Sequence, residues 1–183
     1  MILRKHIAAV EARLAAVPGL VARLARELVA RCRDITARIG EITAEIGALV
    51  AALAPSLLAV QGCGVLSAAK ILGETAGVDR FRSKDAYARH NGTAPLPVWS
   101  ANHIRHRLSR MGNRQLNAAL HRIAVTQAHY HPSAREYLDR RRAAGNTTRE
   151  AIRCLKRRLS DVVYHALQSD LAVNHAIPCQ AAA

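Results

Sequence analysis

The sequence predicts an all-α protein: a long coiled-coil helix followed by a compact helical domain with a helix-hairpin-helix-like segment. Three observations predict it. Half of the 183 residues are hydrophobic, but Ala dominates and aromatics make up only 3%, a composition suited to close-packed helices rather than sheets. From Val21 to Leu53 apolar residues recur at alternating spacings of four and three, the period of a coiled-coil seam. No segment alternates with the period of a strand. At this length the chain can bury one good core with an elongated element attached.

In chain order, residues 1–17 read as a short amphipathic helix ended by Pro18-Gly19. The seam then runs Val21, Ala25, Leu28, Cys32, Ile35, Ile39, Ile42, Ile46, Leu49, Leu53, with Arg, Glu and Thr outside, until Pro55. It packs either along its own domain or, the better expectation, against another helix of this chain or of a second copy. Next, GCGVLSAAKIL joins a short apolar helix to an Ala-rich one through Gly62 and Gly64. This reads as a phosphate-accepting turn, because free N–H groups open the second helix, or as a plain αα-corner. Ser83 caps a helix over 84–90 that stops at Asn91-Gly92. A helix over 111–129 buries Leu116, Leu120 and Ile123 and shows Arg114, Asn117 and His121 on its other side. His131-Pro132 breaks the chain, and Ser133 caps a helix to Ala144. Thr147-Thr148-Arg149-Glu150 forms a capping box for the last helix. That helix runs to about Gln168, with Ile152, Leu155, Leu159, Val163 and Leu167 inside and Arg153, Lys156, Arg157 and Arg158 outside. The expected domains are 1–55 (helix and coiled coil, for dimerisation), 56–168 (helical domain) and a frayed tail, 169–183.

Charge narrows the function. The net charge is +14 and the isoelectric point about 10.9. Residues 80–122 carry nine Arg or Lys against the single Asp85, and no Asp or Glu occurs between Asp85 and Glu136. A stretch so polarised suits a polyanion better than a metal or a cationic substrate. Cys32, Cys63, Cys154 and Cys179 form no CxxC pair and read as reduced, mostly buried thiols rather than a zinc site or disulfide framework. No apolar run approaches the ~20 residues of a membrane span, and the N-terminal segment has no signal-peptide core. A cytoplasmic protein with no metal site and no membrane partner is expected.

Within the acid-free stretch, GTAPLPVWSANHIRHRLSRMGNRQLN sets Ser100 at the end of a run stiffened by Pro95 and Pro97. Arg105, Arg107, Arg110 and Arg114 follow, with His103 and His106 close by. A serine becomes a nucleophile when its proton is removed and the charge developing on the substrate is stabilised. Stabilisers are plentiful here, and carboxylates are absent. Two possibilities stand open: metal-free attack by serine with arginine stabilisation, or acids supplied from elsewhere.

The run from Gln61 to about Leu167 resembles the C-terminal domain of the IS-one-ten family of bacterial insertion-sequence transposases. It does so through GCGVLSAAKILGE, DRFRSKDAYARHNGTAP, VWSAN, LSRMGNRQLNAALHRIA and the basic last helix. The heptad rod is similar to that family's coiled-coil linker. The resemblance implies DNA transposition and recombination guided by a bridge RNA, in the nucleoid, with Ser100 as a nucleophile that forms a phosphoserine bond to DNA. It further implies an RNase H-like domain whose acidic residues bind Mg2+. Such acids have no counterpart in residues 1–60, so no cofactor is expected in this chain, and this chain alone is expected to be inactive, as a fragment would be. The family has Gly where this chain has Ala101. Gly62, Gly64, Arg105, Arg107, Arg110, Arg114, Arg153 and Arg157 are the expected nucleic-acid contacts. DNA, a guide RNA and a second copy of the chain are the expected partners. The alternative is a truncated, non-catalytic nucleic-acid-binding dimer.

Overall fold

The computed structural model describes residues 2–100, 103–107 and 111–176, with side chains described for 6–97 and 111–175. The chain divides into two units, Met1–Ile46 and Gly47–Ala183, nine residues before the expected boundary and inside the long helix.

In the first unit, α1 (Ile2–Ala15) ends at Pro18-Gly19 and α2 (Leu20–Leu53) begins. The carbonyls left open at the end of α1 are taken up by Arg26, whose Nη1 donates to Leu14 O and Val17 O at 2.9 and 3.0 Å. Arg33 pairs with Glu11 at 2.9 Å. Ala22 is buried, whereas Val21, Leu28, Ile35 and Ile39 are 81, 62, 57 and 57% exposed. Ile42, Leu49 and Leu53 are exposed as well. The seam read from the sequence is thus an apolar stripe that α1 does not cover. Cys32, expected with the buried thiols, is exposed on the same helix.

The second unit is helical. Its elements are α3 (Pro55–Ala59), α4 (Val65–Thr75), α5 (Lys84–His90), α6 (Arg114–Tyr130), α7 (Pro132–Ala143) and α8 (Thr148–Ala176). Leu57, Ile71, Tyr87, Leu116, Leu120, Ile123, Leu138 and Val163 are its largest fully buried apolar side chains. The α6 residues expected inside are among them. An aromatic cluster ties α5 to α8: Tyr87 meets Phe81 edge-on at 5.2 Å and Tyr164 at 5.8 Å between centroids. Burial pushes the Tyr87 hydroxyl up to about 12 and the Cys63 thiol up to about 11.

The caps follow local chemistry. Ser83 Oγ accepts from Ala86 N, Asn113 Oδ1 from Gln115 N and Leu116 N, and Thr147 exchanges bonds with Glu150 as a capping box. One cap differs from expectation. His131, not Ser133, caps α7: its Nδ1 accepts from Ala134 N at 3.2 Å, while Ser133 Oγ lies 2.8 Å from that same nitrogen. The last helix also outruns its expected end near Gln168. Residues 169–176, expected to fray, are helical, held where Asp170 Oδ1 accepts from Ser56 N and Asn174 Nδ2 donates to Leu53 O. Residues 177–183, with Cys179, lie outside the described residues.

The chief departure is a β-hairpin where the sequence reads as a stiff loop. β1 (Leu96–Ser100) pairs antiparallel with β2 (His103–Arg107), in the register Leu96↔Arg107, Val98↔Arg105 and Ser100↔His103. Two prolines and a basic second strand hide the strand signal. Pro97 is tolerated because both strands of a two-stranded sheet are edges, where a missing N–H costs no ladder bond on the open side.

Candidate nucleic-acid interface

The hairpin leaves the helical unit between two glycines that touch. A Cβ on Gly112 would lie 2.3 Å from Gly92 N and 2.4 Å from Gly92 Cα, and Gly92 itself has φ +70. Only glycine at both positions allows that crossing and that dihedral. The segment entering β1 hangs on α5, where Thr93 N and Ala94 N both donate to Ala88 O. The segment leaving β2 returns to the same helix, where Asn113 N donates to His90 O at 2.6 Å.

Under this crossing lies a polar network the sequence did not announce. Asn91 is fully buried. Its Nδ2 donates to the buried Ser160 Oγ at 2.7 Å, and its Oδ1 accepts from Thr93 N and Thr93 Oγ1. Asn117 Nδ2 donates to Asn91 O at 2.7 Å, and Lys156 Nζ donates to Asn117 Oδ1 at 2.5 Å. Asn113 Nδ2 donates to Glu74 Oε2 at 2.7 Å. Residues from α4, α5, α6 and α8 thereby hold both feet of the hairpin. The available signals were Asn91-Gly92, which read only as a helix end, and Gly112-Asn113, which fell inside the helix expected over 111–129 although α6 begins only at Arg114 with Asn113 as its cap.

Lys156 and Asn117 therefore differ from their expected outward placement. Lys156 is 7% exposed, and no carboxylate pairs with it among the described residues. Burial, then the charge of Arg153, pulls its ammonium below the usual lysine range. His121 lies below the usual histidine range through burial and then the charge of Lys156. The stripe on α6 and the basic face of α8 thus meet in one cationic seam, whose neighbouring acids Glu74, Asp85 and Asp161 bond to Asn113 and Arg157. Arg114 and Arg153 are exposed on these helices and make no ion pair among the described residues.

The other expected contacts fall out unevenly. Arg157 Nη1 pairs with Asp161 and its Nη2 with Asp85 at 2.5 Å, so a phosphate would have to displace two carboxylates. Ser100 ends β1, and Arg105 and Arg107 lie in β2; Arg110 and Ala101 lie outside the described residues. Gly62 (φ +84) is packed from below: a Cβ there would meet Ile123 O and Thr126 at 3.3 Å, and Gln127 Nε2 donates to Gln61 O. Gly64 caps α4 with open space about its Cα. Of the two glycines, Gly64 is the one open to a ligand.

The nearby acids Glu74 and Asp85 are engaged by Asn113 and Arg157. No group of three potential ligands occurs among the described residues. No described helix is long and apolar enough to cross a membrane.

Residues 54–139, from the start of α3 into α7, match the family described as Transposase IS116/IS110/IS902 family. The chain is 35% identical over 133 residues to the insertion element IS900 uncharacterized 42 kDa protein of Mycobacterium paratuberculosis, covering 71% of this chain and 33% of that one. It is 32% identical over 117 residues to the insertion element IS110 uncharacterized 43.6 kDa protein of Streptomyces coelicolor, covering 63% of this chain and 29% of that one. The matched region thus spans about a third of the length of these curated relatives.

Proposed function

From the premise that this chain belongs to the IS116/IS110/IS902 transposase family, we propose that it is the DNA-contacting, serine-bearing part of an insertion-sequence transposase. The observation that carries the reading is the cationic seam of α6 and α8 at the clamped foot of the hairpin, where the buried Lys156 pairs with no carboxylate among the described residues. A buried ammonium without a carboxylate is costly, and a phosphate oxygen arriving beside it supplies the missing charge. Arg114 and Arg153 would then hold the DNA backbone while β2 offers Arg105 and Arg107.

In this reading Ser100 Oγ attacks phosphorus: an Oγ–P bond forms and a P–O bond to one DNA strand breaks. The hydroxyl proton leaves to a base, and the departing sugar oxygen takes one up. Arginines balance the negative charge growing on the phosphoryl oxygens. Acidic groups and any metal they bind come from a partner domain, and a guide RNA selects the target.

Replacing Ser100 by Ala is expected to abolish a phosphoserine–DNA adduct, read by denaturing gel and mass spectrometry with an RNase H-like domain added, while leaving DNA affinity unchanged. Equal adduct from both proteins would remove Ser100 from the chemistry. No adduct from either, with DNA affinity intact, favours the non-catalytic binding module that the cationic seam can support by itself.

Salt dependence separates the arginines. Each phosphate contact contributes about −0.9 to the slope of log K against log salt. Arg153→Ala should flatten that slope by about one such step. Arg157→Ala should leave the slope alone and cost about 1 kcal/mol of stability, as partly exposed ion pairs do. The reverse pattern would move the interface off the seam.

We further propose that the exposed stripe on α2 pairs with a second copy as a coiled coil. Sedimentation equilibrium should give twice the chain mass for the native protein and the single mass for Ile39→Glu. A native monomer would refute the pairing.

A further inference from the structure

Away from the interface, one buried side-chain polar atom among the described residues has no hydrogen-bond partner: Oδ2 of Asp170. Asp170 is 4% exposed, and its other oxygen accepts from Ser56 N at 3.2 Å, which accounts for half of the carboxylate. Such orphaned atoms are rare and call for an occupant. Asp170 lines a cavity of about 100 Å3 walled by Leu53, Leu72, Val78, Leu167 and Leu171, with Asn174 beside it. Asn174 Nδ2 is engaged with Leu53 O, which leaves its side-chain oxygen as an acceptor. Thr75 and Gly77, at the C-terminal end of α4, complete the rim, so the negative end of that helix dipole faces the same space.

The wall and the floor ask for different chemistry at once. Water would find polar partners in Asp170 and Asn174, but it would leave the leucine and valine wall without apolar contact. A bare metal ion needs more oxygens than one carboxylate and one amide. A short methylene chain ending in a positive nitrogen meets both demands, with the chain against the leucines and the charge on Asp170.

We propose that this pocket binds an alkylammonium group, the chemistry shared by a lysine side chain of a polypeptide and by a free polyamine. The site is independent of the serine chemistry and of DNA.

The test is titration of the full chain with n-butylammonium chloride, followed by NMR of the leucine methyls. Saturable shifts confined to Leu53, Leu72, Leu167 and Leu171 are expected. Asp170→Asn keeps an oxygen for Ser56 N but removes the charge, and should weaken binding about thirtyfold, as loss of one partner from a buried charge pair does. Leu171→Phe, which fills the cavity and leaves Asp170 in place, should abolish the shifts. Neutral 1-butanol should bind the native protein and Asp170→Asn alike. Nα-acetyl-lysine methylamide and spermidine then distinguish the sources, the tighter binder identifying which one the mouth admits. Unsaturable shifts, or equal affinity for native and Asp170→Asn proteins, would overturn the proposal.

Discussion

Gly112→Ala is expected to destabilise the helical unit by about 3 kcal/mol or more, at the upper end of what overpacking costs. The added methyl would lie 2.3 and 2.4 Å from Gly92 N and Cα and 2.9 Å from Asn91 C. These are backbone atoms, and they cannot rotate aside as a side chain can. Gly92 is itself fixed at φ +70, and Asn91 is bound on every side. Relief would require the two feet of the hairpin to separate, with loss of the bond from Asn113 N to His90 O. Gly73→Ala is the control. It sits inside α4 with nothing within 4 Å of its Cβ position, so alanine should stabilise by roughly 0.5–1 kcal/mol through helix propensity alone. Urea unfolding midpoints measure both. A Gly112→Ala midpoint equal to the native one would mean that the crossing is looser than described.

Asn91→Leu should cost about 3 kcal/mol, although leucine is close to asparagine in size and the site is buried. Ser160 Oγ loses its donor, and Thr93 N and Thr93 Oγ1 lose their acceptor. Each buried polar group left unsatisfied costs ~1–3 kcal/mol. The partners are coupled, so the cost of the double variant Asn91→Leu/Ser160→Ala should fall below the sum of the single costs, since Ser160 no longer presents an orphaned hydroxyl. Denaturant midpoints of the four proteins close that cycle. Strict additivity would show that Asn91 and Ser160 do not act together. Trp99, the only tryptophan, lies in β1 and reports the hairpin separately: its emission should change in Asn91→Leu even where helix content by circular dichroism does not.

The helices were legible because their signals are local. Ser83, the Thr147–Glu150 box, Pro55, and the spacing of Leu116, Leu120 and Ile123 each act within one or two turns. The hairpin was not legible, since Pro97 and the Arg–His alternation of β2 obscure a period of two, and the pairing joins two strands that are both edges. The end of α8 was missed because Asp170 and Asn174 gain their partners, Ser56 N and Leu53 O, from more than a hundred residues away. The candidate site was half legible. Its charge and Ser100 stand in the sequence, whereas its scaffold of Asn91, Asn117, Lys156 and Ser160 looked like ordinary surface and helix residues.

What the sequence determined by itself was the all-α class, the apolar stripe of α2, the acid-free basic stretch and the family resemblance. Periodicity, composition and motif order are properties of neighbours along the chain. What only the tertiary structure decided was which basic residues stand free. Arg153 and Arg157 lie four residues apart on α8, yet Arg157 is neutralised by Asp85 from α5 and by Asp161, while Arg153 makes no ion pair among the described residues. Lys156, between them, turns inward to Asn117. The reason is physical: a side chain's charge is available to a ligand only when no nearer partner of opposite sign satisfies it, and distant segments become near only when the chain folds.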